Sequence, residues 1–210
     1  MQERYKIALK KKTKEVIFGT ILGDGCLNRR GNNIRLQLVH GPKQEEYIRW
    51  KSKIIKDIIT DRGLKFEIFK DKYRKTKKKS CWSFYTIKHQ YLDYLYSLFY
   101  KNDKKCISED ILDKLNPLVL AVWIMDDGSL QKRKGKIRKD KTRIYTGARF
   151  ILCTYTKNLK TEKLICKKLK EIFDLNFKIQ KHYDNYRVVC TTQDFKKLVK
   201  IVKPYIIPSM

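Results

Sequence analysis

No apolar run in this 210-residue sequence approaches the roughly 18 residues that a bilayer-spanning helix requires, and its longest apolar stretch, residues 118–125, stops at two acids. The basic N-terminus, with Lys10, Lys11 and Lys12, is not followed by an apolar segment of signal-peptide type. Six cysteines (Cys26, Cys81, Cys106, Cys153, Cys166, Cys190) include no Cys-x-x-Cys spacing. That argues against a zinc site and a disulfide scaffold, and for a reducing intracellular compartment, bacterial cytoplasm and organelle being equally compatible. The three histidines, His40, His89 and His182, are far apart and are expected on the surface or in hydrogen bonds, not as a ligand set. Acids are the scarcest charge: 22 against 50 basic residues, a net charge of +28. Such an excess repels itself unless a polyanion is close, so nucleic acid is the expected partner and a membrane is not.

The few acids are placed informatively. Leu120-Ala121-Val122-Trp123-Ile124-Met125-Asp126-Asp127-Gly128 reads as an apolar helix ending in two carboxylates and a glycine. The C-terminal end of a helix already carries partial negative charge, so acids there point to a bound cation; alone, the stretch fits a buried core helix leaving through a turn equally well. A second copy changes that balance. Ile17-Phe18-Gly19-Thr20-Ile21-Leu22-Gly23-Asp24-Gly25 repeats the pattern half a chain earlier, and the match runs on through Leu27 and Leu130. Leu64-Lys65-Phe66-Glu67-Ile68 is echoed by Leu175-Asn176-Phe177-Lys178-Ile179, in the same order. The repeat unit is therefore half the protein.

The pattern predicts an α+β protein of two αββαββα repeats: a basic, poorly ordered arm (1–14), a first repeat (15–106), a linker (107–115) and a second repeat (116–210). In the first repeat a helix carries the motif to Gly25, with Arg29 to Asn33 as a hairpin loop. Ile34, Leu36 and Leu38 then alternate with Arg35 and Gln37 as a two-faced strand. A helix over 45–60, strands over 65–70 and 80–88, and a helix over 90–100 follow. In the second, Asn116 is the expected cap and Pro117 the first residue of the motif helix. A strand over 128–131, a basic loop over 132–141, a β-rich segment over 143–155, a helix over 161–173, a hairpin over 177–191 and a helix over 194–202 complete it.

Two helices of matching sequence can pack about a pseudo-twofold axis, Gly19 and Gly23 offering a bare strip, so that Asp24 and Asp127 meet at one end. Two close carboxylates do not both stay ionised cheaply. Divalent cations remove the conflict, and hard oxygen ligands favour magnesium over zinc. With a positively charged concave sheet surface able to enter a DNA groove, paired acids and metal suit phosphodiester hydrolysis, one acid per strand.

At these residues the sequence resembles the LAGLIDADG homing endonucleases, in the single-chain form with two motifs. Gly19, Asp24 and Gly25, then Asp127 and Gly128, fall on the family's motif positions; residues 120–128 and 201–210 are most similar to an intron-encoded mitochondrial branch. The resemblance implies saddle-shaped antiparallel sheets, a monomer, and magnesium-dependent cleavage of a long asymmetric double-stranded DNA site. Manganese is the possible substitute and calcium is expected to support binding only. Cleavage would leave 3′ overhangs and promote intron or intein mobility. It also implies that Asp24 and Asp127 hold metal with the backbone carbonyls of Gly23 and Asp126, and that Lys105 is the basic catalytic residue of the first half. The corresponding second residue would fall beyond Met210, with Lys203 as a substitute, and Val122 stands where the first motif has Gly19.

Candidate DNA contacts are Arg29, Arg30, Arg35, Gln37, Lys72, Arg74, Lys132, Arg133, Arg143, Lys178, Gln180 and Arg187, each equally compatible with a solvated surface charge. Strand parity sets Arg35 and Gln37 opposite Ile34, Leu36 and Leu38, and sets Lys178, Gln180 and His182 opposite Phe177 and Ile179. The competing reading is a maturase that binds intron RNA, or a regulatory DNA-binding protein, with the same fold and no cleavage.

Overall fold

A computed structural model of the protein describes residues 2–70, 78–137 and 143–210. The chain forms two compact units, residues 1–106 with 207–210, and residues 107–206.

The first unit opens with α1 (Gln2–Tyr5) and α2 (Lys11–Leu22), so the first fourteen residues are not the unstructured arm expected from their charge. Arg4 is the reason. Its guanidinium donates to the carbonyls of Asp57 (3.1 Å) and Ile59 (2.9 Å), and the Tyr5 hydroxyl donates to Asp93 (2.6 Å). Helix α2 buries Val16 to Leu22 without interruption, as a central helix must when its neighbours surround it. Strands β1 (Cys26–Arg30) and β2 (Asn33–His40) form a hairpin through Gly31, whose φ of 56° suits glycine. Helix α3 (Glu45–Ile54) ends in a 3₁₀ turn at Lys56–Ile58, short of the single long helix expected. Then come β3 (Lys65–Lys70), β4 (Lys78–Tyr85) and α4 (Gln90–Phe99).

Next is an element for which no strand was expected from the sequence. β5 (Tyr100–Lys101) and β6 (Lys104–Lys105) form a tight hairpin whose two turn residues, Asn102 and Asp103, have φ of 50° and 58°. Two left-handed residues in a two-residue loop are the preferred hairpin reversal, and Asn and Asp tolerate that region.

The second unit contains α5 (Glu109–Leu112), α6 (Pro117–Asp127), β7 (Gly128–Ile137), β8 (Arg143–Thr156), α7 (Leu159–Phe173), β9 (Phe177–His182), β10 (Asn185–Cys190) and α8 (Thr192–Val202). Asn116 caps α6 as expected, its side chain accepting from Val119 N–H at 3.0 Å, and Pro117 follows at the first helical position. The expected basic loop is largely strand, because β7 continues to Ile137 paired with β8.

Each unit holds one antiparallel four-stranded sheet, ordered β1-β2-β4-β3 and β7-β8-β10-β9. The two orders are the same up to renumbering, which is the duplication expressed as topology. Sheet pleat sorts the side chains. In the first sheet Leu27, Leu36, Leu38 and Phe84 are buried on the helix-bearing face. Asn28, Arg35, Gln37 and Tyr85 occupy the other face, with Asn28 paired to Arg35 and Gln37 to Tyr85. In the second, Leu152, Val188, Phe177 and Cys190 are buried under the helices, and Lys178, Gln180 and Arg187 share the opposite face. Among the described residues no helix is long and apolar enough to cross a membrane.

Candidate active site

The first half-site is built at the C-terminal end of α2. The helix stops at Leu22; the Gly23 N–H still bonds back to the Gly19 carbonyl (3.1 Å), and Asp24 follows beyond the last helical turn. Gly25 N–H returns to the Thr20 carbonyl at 2.6 Å. A Cβ at residue 25 would lie 2.6 Å from that same oxygen, so glycine is required by contact, not by φ. Asp24 is thereby lifted clear of the apolar helix, with its side chain 40% exposed.

Three cationic or polar groups converge on this end. Lys105, delivered by the β5–β6 hairpin, donates from Nζ to the Gly23 carbonyl (3.0 Å) and reaches the Leu22 carbonyl at 3.4 Å. His40, at the end of β2 and only 2% exposed, places Nδ1 3.6 Å from Asp24 Oδ2. Behind it Lys51, fully buried on α3, lies 3.5 Å from His40 Nε2 and 4.3 Å from the centre of the Tyr47 ring.

The second half-site differs in detail. Helix α6 continues through Asp127, and the Gly128 N–H bonds to the Ile124 carbonyl. Asp127 Oδ2 accepts the indole N–H of the fully buried Trp123 at 3.1 Å, which fixes the carboxylate one turn above its own core residue. A Cβ at Gly128 would overlap the Ile124 carbonyl and lie 2.9 Å from the Phe150 ring. Different local bonds thus impose the same residue, glycine, after each aspartate.

Donor chemistry at α2 suits a hard cation. The Gly23 carbonyl and the Asp24 carboxylate are both oxygen donors at a helix C-terminus, and the Leu22 and Gly23 carbonyls already attract the Lys105 ammonium.

Other sequence-predicted residues fall into groups. Arg30, Arg35 and Gln37 lie on the open face of the first sheet, Gln37 bonded to Asn28 (2.5 Å) and Tyr85 (2.7 Å). Arg29 does not join them. It shares the face of Leu27 and Ile34, with its guanidinium 3.9 Å from Asp103 and 5.8 Å from the Tyr96 ring centre. The Asp103 carboxylate accepts from Tyr96 at 2.6 Å and raises that phenol's pKa. Lys178 is exposed on β9, and Gln180 accepts from buried Arg187 at 3.0 Å. Lys132 and Arg133 lie in β7 and Arg143 opens β8, whereas Lys72 and Arg74 lie outside the described residues. Lys203, the suggested substitute, starts a 3₁₀ turn after α8.

Sequence reasoning missed His40, Lys51, Trp123 and the Gln131–Arg149 pair, in which the guanidinium donates to Gln131 at 3.0 and 3.3 Å. For two of them a signal was present. His40 continues the 34, 36, 38 parity of apolar positions, and Lys51 falls in helical phase with Tyr47 and Ile48; a polar residue on an apolar face needs a partner.

Two units of the same topology, each carrying a helix that ends in an acid and a sterically required glycine, define a duplicated α+β protein built around a repeated acidic helix terminus. Residues 14–198 match the LAGLIDADG DNA endonuclease family, and the protein belongs to it. It is similar to the homing endonuclease I-WcaI bound to its DNA recognition sequence, with 25% identity, a TM-score of 0.81, and coverage of 97% of this chain and 86% of that one. It is 28% identical to the cytochrome b mRNA maturase bI2 of Debaryomyces hansenii, over 96% of this chain and 73% of the maturase. It is also 28% identical to protein RecA of Mycolicibacterium flavescens over 93% of this chain, which spans 44% of that relative's length.

Proposed function

We propose that the protein is a site-specific double-strand DNA endonuclease that uses a divalent metal, magnesium by preference, to hydrolyse one phosphodiester in each strand and leave 3′ overhangs. The observation that carries this reading is the repeated terminus itself, Asp24-Gly25 and Asp127-Gly128. A protein that only bound DNA would gain nothing from two helix-end carboxylates facing a polyanion.

In this reading Asp24 with the Gly23 carbonyl, and Asp127 with the Asp126 carbonyl, hold the metal. When bound, such a cation polarises the phosphoryl oxygen and lowers the pKa of attacking water. The remaining work is the protein's. Lys105 offers its ammonium to the scissile phosphate as negative charge builds there. The open sheet faces, with Arg30, Arg35, Gln37, Lys178, Gln180 and Arg187, bind a long asymmetric duplex, helped by the basic residues Lys132 and Arg133 of β7 and Arg143 of β8, the charge of +28 supplying the non-specific part of the affinity. Breaking two strands at an intron or intein insertion site would promote mobility of the encoding element. A monomer suffices, because each half supplies one motif.

Cleavage of a randomised duplex library tests the proposal, with magnesium and, as a binding-only control, calcium. One long, nearly unique cut site with 3′ overhangs is expected, and the cuts should disappear in Asp24→Asn and Asp127→Asn while duplex binding persists. Retained cutting in both variants would refute the metal site. The second reading is an RNA-splicing maturase, favoured by the similarity to the Debaryomyces hansenii maturase over nearly the whole chain. Tight binding without cuts, together with stimulated splicing of an intron transcript, would select it.

A further inference from the structure

Nothing in the hydrolysis chemistry explains why a lysine is fully buried on α3 behind a buried histidine. Both are expensive. A buried ammonium loses its hydration, and it is retained only where specific partners replace water. Tyr47 provides part of that replacement, its ring centre 4.3 Å from Nζ. His40 Nε2 is a second neighbour, 3.5 Å from Nζ.

The hydrogen-bond inventory of these groups fixes a direction. An ammonium only donates, so the nitrogen facing it, Nε2, must accept and therefore carries no proton. A neutral imidazole then carries its proton on Nδ1, the nitrogen that lies 3.6 Å from Asp24 Oδ2. The carboxylate only accepts. A donor facing Nε2 and an acceptor facing Nδ1 both match the same tautomer, the Asp24 contact at 3.6 Å being an ion-pair distance and not a formed hydrogen bond to buried Nδ1.

We propose that Lys51 and His40 form a buried positioning relay, in which Lys51 locks His40 as the Nδ1–H tautomer and His40 in turn orients the Asp24 carboxylate for metal. The inference rests on the endonuclease reading for its consequence, but not for its geometry. Neither residue touches the phosphodiester; both act through Asp24. Partners of this kind, aimed at a ligand from behind, change metal affinity by about 10- to 100-fold when removed. The relay also accounts for the spacing from the motif: β2 must end at His40, level with the end of α2, and α3 must turn Lys51 inward beneath it.

Long-range proton–nitrogen NMR of the imidazoles reads the tautomer directly, without metal or DNA. His89 is an internal reference of the opposite kind, Nδ1 accepting from Tyr91 N–H at 3.0 Å and Nε2 at 2.9 Å from the Ile7 carbonyl. The expected spectrum shows His40 protonated at Nδ1 and His89 at Nε2, with His40 moving toward the Nε2–H form in Lys51→Met. An Nε2–H pattern for His40 in the unaltered protein overturns the relay. In cleavage assays His40→Phe should raise the half-saturating magnesium concentration about tenfold at unchanged calcium-supported DNA affinity. His40→Asn, which keeps an N–H near the Nδ1 position, should restore most of the loss. Wild-type magnesium dependence in folded His40→Phe also overturns the relay. Should the unaltered protein cut no DNA at all, the endonuclease reading fails while the tautomer still decides the positioning claim.

Discussion

Lys105 Nζ lies 3.0 Å from the carbonyl oxygen of Gly23, the residue that precedes Asp24. That contact depends on the Asn102-Asp103 hairpin turn, which pairs Tyr100 with Lys105 and so brings the lysine back to the end of α2. Replacing the ammonium with an isosteric apolar group tests whether it acts on the reaction or only on the helix end. Lys105→Met is predicted to slow single-turnover cleavage about 100-fold or more, the scale of a lost charge-stabilising group. DNA affinity in calcium should change less than threefold. Equal losses in rate and affinity would instead make Lys105 one phosphate contact among many.

Trp123 offers a way to perturb the second half-site without touching its carboxylate. Trp123→Phe keeps an aromatic ring in a fully buried position but removes the N–H that Asp127 Oδ2 accepts. If each aspartate serves one strand, the two strands should then be cut unequally. A supercoiled plasmid carrying the site is expected to accumulate as a nicked circle before it becomes linear, with the second cut about tenfold slower, the lower range for loss of an orienting partner. Linear product appearing without a nicked intermediate would sink the strand-by-strand assignment.

The motif and the duplication were legible in the sequence because sterics left little choice: an apolar helix, an acid and a contact-required glycine recur at Gly25 and Gly128. Strand parity correctly separated Leu36 and Leu38 from Arg35 and Gln37, since pleat depends only on counting. Register was not legible. It is register that pairs Gln131 with Arg149, which does not follow from one strand alone; Arg29 was assigned to the hairpin loop, so its pleat position on the face of Leu27, within 3.9 Å of Asp103, went uncounted. The N-terminal residues looked disordered because their charge is visible and their anchors are not: Arg4 is held by backbone carbonyls of Asp57 and Ile59, more than fifty positions away. The β5–β6 hairpin was missed although Asn-Asp is a known reversal signal, because strands of two residues carry no periodicity.

Glycine at the two termini can be tested independently of catalysis. Alanine at residue 128 would overlap the Ile124 carbonyl and crowd the Phe150 ring; at residue 25 it would meet the Thr20 carbonyl at 2.6 Å. Neither backbone oxygen can move without breaking a helical turn. Gly25→Ala and Gly128→Ala are each predicted to cost about 1–3 kcal/mol, as overpacking does. Thermal melts should fall by several degrees in both. An unchanged Tm in either variant would show that the helix end yields more easily than its contacts imply.

Asp174 makes stability depend on pH in a defined direction. It ends α7 with a left-handed φ of 52° and is hydrogen-bonded to Lys170 and Lys197, which hold its pKa down from 3.8 to about 2. A depressed folded value means that the ion pairs favour the native state above the unfolded carboxylate pKa. Their contribution is then lost as pH falls from about 3.8 through about 2. Asp174→Asn keeps a side chain that tolerates the left-handed region but removes the charge. Its Tm should lie slightly below wild type at neutral pH, with the gap closing as pH approaches 2. A gap that widened on acidification would contradict the sign.

Arg187 and Lys178 should respond differently to salt, although they share one sheet face. Lys178 is exposed, whereas Arg187 is buried and donates to Gln180 at 3.0 Å, a bond that fixes the guanidinium in place. A loosely held cation on such a surface suits phosphate; a clamped arginine presents its fork in one orientation, as base-edge reading requires. Lys178→Ala should therefore weaken all duplexes alike and reduce the slope of log Kd against log salt by about one. Arg187→Lys and Gln180→Leu should leave that slope nearly unchanged while relaxing preference at one or two positions of the selected site, by about 1–3 kcal/mol against the wrong base. The discriminating measurement is binding in calcium across a salt series, using the preferred duplex and single-position variants of it. If Arg187→Lys lowers the salt slope as Lys178→Ala does, with no loss of base preference, then the Gln180 clamp serves the sheet and not the reading of DNA.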